Sequence, residues 1–364
     1  VSKITTWSAK AIGNALWPAV GFIAALVLIG SGTVARAATI TVDSITDDTN
    51  AGHCTLREAI NSANGSSGVG DCTAGTGTDT IKFGVTGTVV LESGLPSIAG
   101  NLTINGPVAP GITIDGNKKF QVMHVDLSAT VNLSNLTITR GSAFAGEGAG
   151  IHNSGTLTVT NCTLSNNSAD AGSGGGIFNS GTATVTTSTI SDNSAAGTFG
   201  GGIYNFGTLT LTDSTISGNI ADGSAGIHNA GMLTVTNCTF SGNNASIGGG
   251  AVSSSGTVTM TNCTFLSNSA GVAGGSIENA SGTVNLKGTI LGTETSGGNC
   301  SGTIKDVGYN IAADATCAFS ATGSLNSTNP KLDSAGLKDN GGPTLTIALQ
   351  TGSPAIDAIP FASC

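Results

Sequence analysis

Four side chains able to grip a ligand recur at one place in this chain: His152, Phe178, Tyr204 and His228, spaced 26, 26 and 24 residues apart. Each sits between an isoleucine and an asparagine, in IHN, IFN, IYN and IHN. Two aromatic rings between two imidazoles could stack on sugar rings, or could simply support one another across neighbouring strands. Carboxylates offer a different chemistry. Glycoside hydrolysis needs two carboxyl groups about 5–10 Å apart, but Asp170, Asp192, Asp213 and Asp222 are scattered over corners and loops, and no catalytic residue is assigned. The cysteines and histidines lack zinc spacing. There is no GxGxxG after a strand, no P-loop, no EF-hand loop and no calcium-binding nonapeptide, so neither cofactor nor metal is expected.

The elements that must position these residues come from a repeat. GTLTVTNCTLSNNSA (155–169) returns, varied, at 181–195, 207–221, 231–245 and 256–270. One apolar position marks the period: Leu102, Val131, Leu157, Ala183, Leu209, Leu233, Val258 and Val284 lie 24 to 29 residues apart. A period near 25 with alternating threonines predicts a parallel β-solenoid, one coil per repeat and three short strands per coil. The fold class is therefore all-β, a single-stranded right-handed parallel β-helix with a short N-terminal capping helix; parallel crossovers favour the right hand.

Within a coil, Leu157 and Val159 should point inward and Thr156, Thr158 and Thr160 outward. Coils about 4.8 Å apart turn equivalent residues into columns. Asn167, Asn193, Asn219, Asn243 and Asn268 should form a structural ladder of amides. Asn153, Asn179, Asn205, Asn229 and Asn279 form a second column, with Ser254 departing from it. Cys162, Cys238 and Cys263 fall on an inner column. Cys162 is too far from Cys238 for a disulfide, whereas Cys238 and Cys263 are on neighbouring coils; small buried thiols are the reading preferred for all three.

The organisation has four parts. Residues 1–37 read as a signal peptide: Lys3 and Lys10 precede an apolar run from Ala15 to Ile29, and Ala35-Arg36-Ala37 is a small-x-small cleavage site. Residues 38–100 hold the N-terminal cap and first coils. Their helix, over 55–64, has a Thr55-x-x-Glu58 capping box and an apolar stripe of Leu56, Ala59, Ile60 and Ala63. Residues 101–292 hold the repeats, and 293–364 a C-terminal segment. Cys54 with Cys72 and Cys300 with Cys317 are the expected disulfides of an exported chain; Cys364 has no evident partner.

Composition narrows the partners. Of 364 residues 56 are glycine and only 9% are charged. Removing Lys3, Lys10 and Arg36 leaves nine basic against 21 acidic residues, a net charge of −12. No Lys or Arg occurs between Arg140 and Lys287. Such a surface is a poor partner for nucleic acid or anionic phospholipid. No transmembrane segment is expected after signal cleavage, and the chain is expected to be a monomer.

HCTLREAINSANG (53–65) resembles the CSLREA motif near the start of exported bacterial β-helix proteins. NPKLDSAGLKDNGGPTLTIALQTGSPAID (329–357) is similar to the choice-of-anchor region that follows such repeats. The repeats themselves resemble polymorphic-outer-membrane and pectin-lyase-like β-helices. The resemblance implies an exported protein, extracellular or associated with the outer membrane at the cell surface, of unassigned activity. It also implies more chain after the anchor-type region, so the C-terminus is expected to be truncated. The function expected is a non-catalytic adhesin or surface-structural protein, with His152, Phe178, Tyr204 and His228 as the ligand-binding column and extracellular polysaccharide or a neighbouring cell surface as partner. A polysaccharide lyase or glycoside hydrolase is the alternative, and an ice-binding solenoid, through the outward threonine rows, the second.

Overall fold

The structure, a computed structural model, describes residues 37–360 except 50, 51, 66, 109, 110, 145 and 273. The expected signal segment lies outside these residues apart from Ala37, and Cys364 lies outside them too. Each repeat makes one coil, and each strand of a coil pairs in parallel with its equivalents above and below. Among the described residues the result is three long sheets of 11, 10 and 8 strands and a fourth of four.

The first sheet runs from Thr39–Val42 to Ile304–Asp306 and includes Thr156–Thr160, Thr182–Thr186 and Thr208–Thr212. The second contains Thr163–Ser165 and Thr189–Ser191, and the third Ile177–Asn179 and Ile203–Asn205. Three strands per coil is therefore an incomplete description. Two-residue strands such as Ser194–Ala195 and Ile220–Ala221 make the fourth sheet, at a place that reads from sequence as a corner.

Alternation explains the core. Leu157, Val159, Leu209 and Leu211 are buried, whereas the threonines beside them face outward. Phe240 and Phe265 stack inside, with ring centroids 4.6 Å apart. The corner between the first two sheets carries Asn135, Asn161, Asp213, Asn237 and Asn262 with φ between 49° and 57°, a region that Asn and Asp tolerate better than most side chains.

The first asparagine column is a continuous ladder; the second runs from Asn153 to Ser254, and Asn279 bonds outside it, to Gly282 O and Thr303 O. Asn167 Nδ2 donates to Asn193 Oδ1 at 2.9 Å, and the bond repeats from Asn193 to Asn219, Asn219 to Asn243 and Asn243 to Asn268. The same acceptor oxygen also takes the backbone N–H of the previous asparagine. In the second column Asn153, Asn179 and Asn205 each donate to the next asparagine at 2.6–2.7 Å. Asn229 donates to Ser254 Oγ instead. Buried amides are tolerable because they are paired along the stack, the Asn153 oxygen at the start of its column being the exception.

The ends are closed differently. The helix Leu56–Asn64 covers the N-terminal end with Leu56, Ala59 and Ile60 buried, and its capping box is complete. Cys54 joins Cys72. At the other end Cys300 joins Cys317, and the chain then turns back. Leu332 pairs antiparallel with Leu349 and Lys338 with Thr346. This returning segment lies on the second sheet, where Thr215 Oγ1 donates to Leu345 O at 2.6 Å. No helix of the described residues is long and apolar enough to cross a membrane.

Candidate functional site

The aromatic column assembles on the third sheet. His152, Phe178, Tyr204 and His228 are direct partners in its register, and His124 extends the series by one coil. Successive ring centroids are 4.6, 5.0, 5.3 and 5.0 Å apart from His124 to His228. The rings therefore lie on one another, and their faces are occupied by their neighbours.

Loops press on the column as well. Gly200, at φ +71°, lies so close that a Cβ would meet Ile203 O at 2.5 Å, and the ring of Phe199 lies 4.6 Å from that of His228. Phe178 keeps only 8% of its surface exposed. Burial lowers the pKa of His152 and brings that of His228 to about 4. These residues are a column, as their spacing implies; each ring lies against its neighbours, and His152, Tyr204 and His228 stay half-exposed. His124 and Phe199 escape a reading of the repeat, the first because its strand, Met123–Val125, precedes the regular coils, the second because it lies in a loop.

The open surface is the first sheet. From Thr156–Thr160 to Thr257–Thr261, five consecutive strands pair residue for residue. Their outward positions form three rows of five, and fourteen of the fifteen are threonine, Met232 being the exception. At about 4.8 Å between coils and 6.7 Å between alternate residues, the grid measures roughly 19 by 13 Å. No charge interrupts it. Each threonine offers a hydroxyl that can both donate and accept, and a methyl.

A third feature lies where the returning C-terminal segment meets the last coils. Glu294 lines a cleft of about 390 Å³ there. Its carboxylate accepts hydrogen bonds from the Asn268 backbone N–H and from Ser276 Oγ. Burial pushes this carboxyl up to about 7. Sequence reading overlooks Glu294, because the repeat loses its spacing after Leu286.

The remaining candidates are structural in their contacts. Arg57 makes a two-pronged pair with Asp47 and donates to Ser93 O and Gly94 O, tying the helix to the first coils. Glu58 caps its own helix at Thr55. Asp192 and Asp213 occupy different corners; Asp170 and Asp222 share a column, with Ala196 on the coil between them. Cys162, Cys238 and Cys263 are buried free thiols. No group of three His, Cys, Asp or Glu among the described residues could hold a metal ion.

Residues 86–288 match the family model described as the right handed beta helix region. The chain belongs to this family. Its parallel sheets are thus the walls of a right-handed β-helix. Among solved structures, jun a 1, the major allergen from cedar pollen, aligns at 14% identity over 79% of this chain and 77% of that one, with a TM-score of 0.32. No curated protein sequence matches this β-helix.

Proposed function

We propose that this right-handed β-helix is an exported, non-catalytic surface protein that holds extended polysaccharide on its threonine face. The observation that carries the reading is the in-register grid of fourteen threonines. A glycan chain presents hydroxyls and CH faces at a regular repeat, and many weak contacts along one chain add by avidity. The amino-terminal signal-like segment and the stretches similar to CSLREA and choice-of-anchor sequences support export and display at the cell surface.

The test is retention of residues 38–364 on insoluble polysaccharides and on a glycan array, with assays for reducing ends and unsaturated products run alongside. Retention without turnover is the expected outcome. Turnover would replace this reading with a lyase or hydrolase. The same grid favours one other ligand, the surface of ice, since two fixed spacings of hydroxyl and methyl suit a crystal lattice. Thermal hysteresis in the purified protein would select that ligand.

A further inference from the structure

The cleft at Glu294 is built as a small-ligand site. Its volume, about 390 Å³, falls in the range of small-molecule pockets. Leu266 and Leu332 supply an apolar wall, and Ser267, Thr293 and Asn329 supply polar groups. The carboxylate of Glu294 is held in place from two sides by neutral donors, Asn268 N–H and Ser276 Oγ. Among the described residues no Lys, Arg or His forms an ion pair with it. The other charge that bears on it is Asp314, which is also negative. A partly buried acid without a counter-charge, in the wall of a cleft, is a place where a ligand can supply the missing cation.

We propose that this cleft binds the protonated amine of an amino sugar, with the ammonium on Glu294, the CH face of the ring against Leu266 and Leu332, and its hydroxyls on Ser267, Thr293 and Asn329. The proposal rests on the polysaccharide reading and names the sugar class for one subsite. A cation beside the carboxylate offsets the burial that raises its pKa, so binding below neutral pH is coupled to loss of the Glu294 proton.

The experiment is calorimetric titration of the full chain with the β-1,4 disaccharide of glucosamine, which is too short to span the threonine grid, and with its N-acetylated counterpart. The glucosamine disaccharide should bind saturably at pH 7, and the acetylated one at least tenfold more weakly. Glu294→Gln should lose at least tenfold while keeping an oxygen for the Asn268 N–H; an unchanged melting temperature shows that it folds. At pH 6 binding should release up to one proton, read from the dependence of the heat on buffer ionisation. Equal binding of both disaccharides, no binding of either, or no change in a folded Glu294→Gln protein overturns the proposal. Loss of polysaccharide retention on substituting the grid, with disaccharide binding intact, supports both sites; unchanged retention with disaccharide binding intact would overturn the threonine-face reading and leave the cleft standing.

Discussion

Glu294 ends the ladder to which Asn268 belongs: its carboxylate accepts the Asn268 backbone N–H where every earlier coil offers an asparagine amide oxygen. A carboxylate can accept but, when ionised, cannot donate. The ladder therefore stops there with Asn268 satisfied, and no sixth asparagine is required.

The ladder should be the most sensitive polar feature of the rod. The Asn193 side chain takes two hydrogen bonds from Asn167 and gives two, to Leu164 O and Asn219 Oδ1. Asn193→Ala removes the partner of the Asn167 backbone N–H, of one Asn167 amide hydrogen and of Leu164 O on the preceding coil, while Asn219 Oδ1 keeps the Asn193 backbone N–H. At about 1–3 kcal/mol for each such group, urea unfolding should show a loss of at least about 3 kcal/mol. A change below 1 kcal/mol would mean that the amides are not paired as described.

The N-terminal cover depends on its disulfide. Cys54 and Cys72 close a loop of 18 residues. Replacing both by serine should cost about 3 kcal/mol on the chain-entropy model. Limited proteolysis should then cut first between residues 50 and 76, ahead of the coils.

The inner thiols should be inert. Burial pushes Cys162 up to about 11 and Cys263 up to about 12, and Cys238 is raised as well. Thiolate is the reactive form, so alkylation mapped by mass spectrometry should leave all three unmodified at pH 8 until denaturant is added. Rapid labelling of the native protein would contradict their burial.

Acid should loosen the aromatic column. Burial brings His228 to about 4 from its ordinary 6.5, so the folded protein favours the neutral ring. Its contribution to stability is complete above pH 6.5 and is lost as pH falls through 4. His228→Phe keeps a ring in the stack and removes that titration. Its melting temperature should therefore fall less than that of the parent between pH 7 and pH 4.

Much of this architecture is legible in the sequence because the repeat forces it. A 24–26-residue period places Leu157 over Ala183 and Asn167 over Asn193, and the coil spacing turns identity into columns. The helix is legible because its capping box is local, from Thr55 to Glu58. The fourth sheet is not, because two residues such as Ser194 and Ala195 show no alternation. The fate of Phe178 and Tyr204 follows from a spacing that the period already contains: rings one coil apart must lie on each other, so their faces are used internally. The returning segment and Glu294 lie beyond the repeat, where no periodicity guides a reading.

If the threonine face binds polysaccharide, charge placed at its centre should abolish retention. Thr184 and Thr210 are neighbours in the middle row. Thr184→Lys with Thr210→Lys places two like charges in the centre of the grid without touching the core. The parent should be retained on its polysaccharide and the double variant should lose at least tenfold in retention, while the like-charge pair lowers its melting temperature by only a few degrees and leaves it folded. Equal retention of parent and variant would contradict binding at this face.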